Sequence, residues 1–187
     1  MPIVERKAMG LRFKVDGLPC LYFITTTVIE HIRILTDKPV AKIILENLNF
    51  YRSKYNFRLN AYVIMPSHIH LLLNIPETCS VSDITRDFKK FTSSEIRDHL
   101  IRVNSKFLPI FLSEGKKYPR QNFKLWMERS DKVAIVSRKI LEIKLNYIHQ
   151  NPVRAGLVEK AEYYLYSSAS DYTTGKKGPI VVDKIEW

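Results

Sequence analysis

Two histidines separated by a single residue are the first side chains that suggest chemistry. His68 and His70 lie in the stretch YVIMPSHIHLLL, residues 62–73, which predicts two strands joined by a tight turn at Pro66. Because residues two apart on a strand point to the same face, the two imidazoles are expected side by side. Such a pair can bind a divalent metal ion if a third ligand comes from elsewhere in the chain.

A tyrosine and two amides in the later segment KLNYIHQNPVRAGLV are the next candidates. Tyr147 and Asn151 are four residues apart on a predicted helix and share its face, and Gln150 is roughly aligned with them. An amide oxygen from Asn151 would complete a metal site of two histidines and one oxygen, with coordination positions left open for substrate oxygens. Gln150 is the alternative third ligand, whereas His149 points elsewhere.

Ordinary structural roles compete with each of these assignments. His68 and His70, taken alone, fit two hydrogen-bonded histidines on a half-exposed strand. Tyr147 is one of ten tyrosines, so by count the simpler explanation is a core aromatic on the flank of a helix. Asn151 precedes a proline, where an asparagine can cap the end of a helix.

The elements that must position these residues are predicted from periodicity, caps and turn residues. Strands are expected at residues 21–28, 57–65, 68–75 and 123–127. Helices are expected after Asp37, from Ser80 or Ser82 to Leu100, and from Ser137 to Asn151, because the residue before a proline is pushed out of the helical region. Residues 104–122 are expected to form a basic loop, and the tail after Gly156 is expected to pack loosely.

This order of elements predicts an α+β, ferredoxin-like fold with an antiparallel sheet. We expect the helices on one face of the sheet and an appended C-terminal helix that carries Tyr147. The face that bears His68 and His70 should be open on one side. At 187 residues the chain is expected to be one domain, residues 1–187, with a core over about residues 18–172.

The charge of the chain predicts a polyanionic partner. Thirty Lys and Arg residues against 19 Asp and Glu give a net charge of +11, which favours nucleic acid first and an anionic membrane surface second. Arg86, Lys89 and Lys90 on the second helix and Arg154 after the third are the candidate nucleic-acid contacts. A row of cations on a helix can equally be a solvated face.

Other features restrict the setting in which the protein acts. The N-terminal residues contain no apolar segment typical of a signal peptide, and no apolar run approaches the roughly 18 residues of a spanning helix. Cys20 and Cys79 lie far apart and are expected to be free thiols. We therefore expect a cytoplasmic protein with no membrane partner.

Five segments taken together resemble a known family. They are YFITTTV, AYVIMPSHIHLLL, SDITRDFKKFTSSEI, KLNYIHQNPVRAGLVEK and YLYSSASDY, and they span about residues 21–172 in the family's order. The chain resembles the single-tyrosine HUH transposases, most closely their REP-associated tyrosine transposase branch. A His-x-His pair alone is weak support, but its combination with YIHQNPVRAGLV is specific.

The resemblance implies a metal-dependent DNA strand transferase or nickase. Tyr147 matches the family's nucleophile, His68 and His70 match its metal ligands, and Asn151 matches the third ligand, with Gln150 the weaker candidate. Family members cut and rejoin single-stranded DNA beside small hairpins, forming a 5′-phosphotyrosine and a free 3′-OH. Both monomers and homodimers occur among them. The alternative function is a sequence-specific protein that binds DNA or RNA hairpins and no longer cuts.

This chemistry suits the residue types. A tyrosine hydroxyl, with an ordinary pKa near about 10, needs help to act as a nucleophile. A divalent ion would polarise the scissile phosphate beside it. Two imidazoles and an amide form a neutral ligand set, for which Mg²⁺ or Mn²⁺ is the expected cofactor.

Overall fold

A computed structural model describes residues 20–185 and shows an α+β fold. Its main elements, in chain order, are β1 (Cys20–Thr27), α1 (Lys38–Tyr55), β2 (Arg58–Ile64), β3 (His68–Ile75), α2 (Val81–Arg102), α3 (Leu108–Lys116), β4 (Asp131–Ala134), α4 (Arg138–Arg154) and α5 (Ala169–Thr173). The N-terminal stretch examined for a signal peptide and residues 18–19 of the expected core lie outside the described residues. Within residues 20–185, no helix has the length and apolar character to cross a membrane.

The four strands of the described sheet lie in the order β2-β3-β1-β4, and every neighbouring pair is antiparallel. This is the ferredoxin-like order, so the predicted fold class is confirmed. The hairpin of β2 and β3 is almost wholly buried. Its apolar sequence therefore reflects burial on both faces of the sheet.

Helices cover both faces of this sheet. Ile84 and Phe88 of α2 pack in a core cluster with Leu71 of β3 on one face. On the other face, Ile148 of α4 packs in a second cluster with Leu72. The helices α1 and α2 therefore share one face, as expected, and α4 is the additional helix on the other face. The expectation that the histidine face is open is wrong in part, because α4 covers much of that face.

The predicted fourth strand is misplaced. Residues 123–127 form no strand, although Leu125 and Trp126 are buried and Trp126 makes a single bridge to Val28. The second neighbour of β1 in the sheet, beside β3, is β4, Asp131–Ala134, whose residues are mostly exposed. The apolar pattern of residues 123–127 reflects burial against the core. The edge strand was not predicted because it is only four residues long and mostly exposed.

The expected basic loop contains a helix. α3 begins just after Phe107, with Pro109 in its first turn, where a proline costs no helical hydrogen bond. Gly115 lies near its end, and a Cβ there would approach the backbone nitrogen of Phe123 to 2.3 Å. The glycine therefore permits close packing of the chain against α3.

α4 continues past the residue at which it was expected to stop. Pro152 lies inside the helix, which ends at Arg154 with Ala155 as its C-cap. Pro152 is buried, and its carbonyl accepts a hydrogen bond from Leu157 N at 2.9 Å. Tertiary packing thus outweighs the local preference against proline, and Asn151 is a helical residue and not a cap.

The tail is not loosely packed. Ser167, Ser168, Ile180 and Val182 are buried, so the core extends beyond residue 172. The tail lies along the outer edge of β2, where Ile64 N donates to Tyr166 O and Asp183 N donates to Leu59 O, each at 2.8 Å. These bonds satisfy part of an edge that would otherwise be free to pair with another chain.

Candidate active site

The start of β3 places two imidazoles on the α4 face of the sheet. His68 pairs with Thr27 and His70 with Thr25 on the neighbouring strand β1. The ring centroids of His68 and His70 lie 4.9 Å apart, at an interplanar angle of 73°. His68 is half-buried, whereas His70 is only 4% exposed.

The ring of His70 is oriented by a hydroxyl. Its Nδ1 lies 2.8 Å from Oγ1 of Thr25. Its Nε2 is buried and has no hydrogen-bond partner in the described chain. If the proton is on Nδ1 and is donated to Thr25, the lone pair of Nε2 is free, which is the arrangement that a metal-binding histidine adopts. The residues therefore fit a divalent ion.

Both imidazoles favour the neutral form that binds metal. Burial, the neighbouring His68 and the ammonium of Lys144 lower the pKa of His70 to about 3. Burial and the nearby His31 lower the pKa of His68 as well. Neither ring would have to lose a proton at neutral pH before accepting a cation.

Tyr147 reaches this pair from α4. Its ring centroid lies 5.2 Å from that of His70 and 5.9 Å from that of Phe23. The next two residues of the helix are buried, since Ile148 packs on the sheet and His149 Nε2 lies 3.0 Å from Oγ of Ser168. These contacts fix the rotation of α4 that presents Tyr147 to the histidines.

Asn151 and Gln150 are both half-buried residues of α4, and Asn151 follows Tyr147 by one helical turn. Within residues 20–185, no group of three or more His, Cys, Asp or Glu side chains could hold a metal ion. The third ligand expected from the sequence is an amide oxygen, and Asn151 lies in the same row of the helix as Tyr147. Its role as ligand stays a prediction.

Two cations lie on either side of the tyrosine along α4. Cζ of Arg154 lies 5.6 Å from the Tyr147 ring centroid, and Nζ of Lys144 lies 5.8 Å from the same point. Arg154 was a candidate from the sequence, but Lys144 was missed, as were Thr25 and Phe23. Lys144 lies three residues before Tyr147, and this helical spacing could have suggested that it belongs to the site. No sequence pattern near Thr25 or Phe23 suggests that these two residues of β1 lie there.

The candidate cations of α2 lie on the opposite face of the sheet. Arg86, Lys89 and Lys90 help to line an open groove of about 760 Å³ between α2 and residues 118–132. Further cations that line it are Arg97, Arg120, Lys124 and Lys132. The groove is therefore strongly basic, but it is separated from Tyr147 by the sheet.

The three α2 candidates differ in what their charges do. Arg86 is exposed and forms ion pairs with Asp83 and Asp87. Lys89 donates to the carbonyls of Met127, at 2.6 Å, and Glu128, at 2.9 Å. Burial lowers its pKa to about 8.

Lys89 therefore joins α2 to the following loop, with most of its donors occupied. Lys90 is exposed, with its ammonium 5.7 Å from the Phe91 ring centroid. It is the best placed of the three for a phosphate contact.

Comparison with known proteins identifies the family and supports the fold. The model of the family described as "Transposase IS200 like" matches residues 19–151. A protein of Haemophilus influenzae described as a REP-associated tyrosine transposase is 28% identical over 155 residues, which cover 79% of this chain and 78% of that protein. A solved structure of a REP-associated tyrosine transposase bound to a REP hairpin superposes with a TM-score of 0.65 at 19% identity, covering 97% of this chain and all of the other.

The structural likeness supports the fold, and the family match covers most of the chain, including both histidines and Tyr147. The chain belongs to the IS200-like transposases.

Proposed function

We propose that this transposase is a metal-dependent DNA strand transferase that cuts and rejoins single-stranded DNA beside hairpins. The observation that carries the proposal is the meeting of Tyr147 with His70, whose Nε2 is buried and unpartnered in the described chain. A phenol and a free imidazole nitrogen on one face suit nucleophilic attack on a phosphodiester. We further propose that residues 1–187 act as one domain in the cytoplasm.

In the proposed reaction, Oη of Tyr147 attacks the scissile phosphorus and forms a phosphotyrosine at the 5′ end of one fragment. The bond from phosphorus to the 3′ oxygen breaks, and that oxygen leaves as a free 3′-OH after taking a proton from solvent. The phenolic proton also passes to solvent. Attack of a 3′-OH on the phosphotyrosine reverses the sequence and rejoins the strand, so no water is consumed.

His68, His70 and Asn151 are the residues that would hold a Mg²⁺ or Mn²⁺ ion. When bound, the ion polarises the phosphate and neutralises charge that develops in the transition state. The protein contributes the orientation of His70 through Thr25 and the burial that keeps both imidazoles neutral. Arg154 adds a fixed positive charge beside the tyrosine.

The basic groove on the α2 face would bind the phosphate backbone of a DNA hairpin. The position of the groove supports this proposal, because a hairpin bound there leaves the α4 face of the sheet free to bind the unpaired strand. The connecting strand would pass around β4, the exposed edge of the sheet. Binding through phosphates should weaken steeply with rising salt.

A covalent-adduct assay tests the proposal. Wild type and Tyr147→Phe would be incubated with Mn²⁺ and a labelled pool of single-stranded DNA hairpins with randomised flanks, and then run on a denaturing gel. Tyr163→Phe is a matched control, because Tyr163 is a highly exposed tyrosine elsewhere on the chain. We expect a protease-sensitive shifted band with wild type and Tyr163→Phe that requires Mn²⁺ and is absent with Tyr147→Phe.

Binding to the same pool in native gels without any adduct would contradict the proposal. It would favour a hairpin-binding protein that does not cut. An adduct that persists in Tyr147→Phe would show that another side chain is the nucleophile.

A further inference from the structure

The ammonium of Lys144 lies inside the candidate site. Lys144 precedes Tyr147 by three residues, about one helical turn, and is half-buried. Its Nζ lies 4.4 Å from the Phe23 ring centroid. Phe23 is itself stacked on His70, with centroids 5.3 Å apart, and meets the Tyr147 ring edge-on. The aromatic ring thus holds the lysine beside both the imidazole and the phenol.

No acidic side chain of residues 20–185 forms an ion pair with Lys144. Some other cations on the helices do form ion pairs, as Arg138 does with Glu142 on α4. Lys144 and His70 contact the same ring, that of Phe23. A cation here opposes the binding of a metal ion to the same imidazole, so its position calls for an anion that offsets the repulsion.

Lys144 and Arg154 lie in one row of α4 with Tyr147 between them. The spacings of −3 and +7 residues from Tyr147 place both cations on its side of the helix. A phosphate bound at Tyr147 would therefore have a positively charged side chain on each side, Lys144 on one and Arg154 on the other. A phosphodiester carries one negative charge in the ground state and gains a second as a nucleophile adds, which is the charge that such a pair can stabilise.

We propose that Lys144 is a catalytic residue that contacts a non-bridging oxygen of the scissile phosphate, opposite Arg154. This inference rests on the proposed strand-transfer function. As Oη of Tyr147 bonds to phosphorus and the bond to the 3′ oxygen breaks, Lys144 keeps its proton and stabilises the negative charge on the phosphate oxygens. Protons are exchanged only between solvent and the two bridging oxygens.

The structural alternative is that Lys144 packs its aliphatic stem on Phe23 and extends its ammonium to water. Lys144→Met separates the two roles, because methionine retains an apolar stem on the ring and removes the charge. Lys144→Arg restores the charge. Lys139→Met is the matched control, since Lys139 is an exposed lysine five residues earlier on the same helix.

The first readout is single-turnover adduct formation with a hairpin that wild type cleaves in the pool, at saturating Mn²⁺. We expect Lys144→Met to slow it by about 10²–10³-fold, as the loss of one transition-state donor does. Lys144→Arg should recover much of the rate, and Lys139→Met should match wild type. The Mn²⁺ concentration for half-maximal rate should not rise in Lys144→Met, which distinguishes a phosphate contact from damage to the metal site.

The second readout needs neither metal nor turnover. In a Tyr147→Phe background with EDTA, the cleaved hairpin would be compared with the same DNA carrying a neutral methylphosphonate at the scissile position. Because Arg154 remains in both proteins, we expect the methylphosphonate to weaken binding about tenfold more when Lys144 is present than in Lys144→Met, the size of one charge-assisted hydrogen bond.

These outcomes separate the two proposals. Absence of a wild-type adduct would overturn the strand-transfer function. A normal wild-type adduct with an unaffected Lys144→Met rate would overturn only the role of Lys144. A slow Lys144→Met that responds to the methylphosphonate as strongly as wild type would also overturn it, because the lysine would then act without contacting the phosphate.

Discussion

Oγ1 of Thr25 lies 2.8 Å from Nδ1 of His70, across the central pair of strands. This contact leaves Nε2 as the atom of His70 that can face a ligand on the Tyr147 side. The hydroxyl of Thr25 on β1 therefore orients the imidazole of His70 on β3. The two residues are distant in sequence and are joined only by the register of the sheet.

Replacing Thr25 by valine should weaken Mn²⁺ binding by about 10–100-fold, as is typical for loss of a group that orients a ligand. Valine keeps the β-branched shape and removes the oxygen. Mn²⁺ titration followed by electron paramagnetic resonance would measure the change. Thr25→Ser should bind normally, and Thr27→Val, two residues along the same strand, is the control. Equal affinities for Thr25→Val and Thr27→Val would disprove the orienting role.

Asn151→Ala should raise the Mn²⁺ concentration needed for half-maximal adduct formation more than Gln150→Ala does. The reason is that Asn151 lies four residues after Tyr147, in the same row of α4, and is the residue proposed to supply the amide oxygen. The same assay at a series of Mn²⁺ concentrations measures both variants. The reverse order would assign the third ligand to Gln150, and two unchanged curves would exclude both amides.

Lys89→Met and Lys90→Met should differ although the residues are adjacent. Loss of Lys89 leaves the carbonyls of Met127 and Glu128 without this donor, so unfolding in urea should show a loss of about 1–3 kcal/mol. Lys90→Met should fold normally but reduce the slope of log affinity for hairpin DNA against log salt by about 1. An unchanged salt slope in Lys90→Met would remove this residue from the DNA interface.

The buried His149 should make the fold sensitive to mild acid. Burial lowers its pKa to about 4, from an ordinary value of 6.5. Between these values the unfolded chain takes up a proton that the folded chain does not, so stability decreases as pH falls from about 6.5 towards 4. The contribution of this site is at most about 1.4 kcal/mol for each pH unit.

Urea unfolding in EDTA at several pH values would measure this effect. His149→Gln should be less stable at neutral pH, because the bond to Ser168 is altered, but its stability should fall less steeply with acid. His68 and His70 contribute equally to both proteins, so the difference in slope isolates His149. Parallel curves would contradict the assignment.

The sheet could be predicted because local rules determine it. Alternation along β3 correctly predicts that His68 and His70 share a face, and turn residues at Pro66 predict the hairpin that contains them. The order of strands and helices then leads to the ferredoxin-like topology. Errors occurred where packing overrides local preference, as at Pro152 inside α4 and at the buried residues 123–127 that form no strand.

The approach of Tyr147 to His70 had no local signal. Nothing in the periodicity of α4 indicates the face of the sheet on which it docks, so only the family resemblance suggested this meeting. The places of Thr25 and Lys144 in the site could not be predicted for the same reason. Their importance depends on strand register and on the ring of Phe23, which are properties of the folded chain.

The buried bond between His149 and Ser168 has a consequence for how such proteins diversify. Ser168 also accepts a hydrogen bond from the backbone nitrogen of Tyr62, at 3.0 Å, so one tail residue connects α4 to β2. Successive helical residues differ by about 100° in direction, so this connection sets the direction in which Tyr147, the proposed nucleophile, points. A chimaera between relatives must therefore exchange α4 and the tail together.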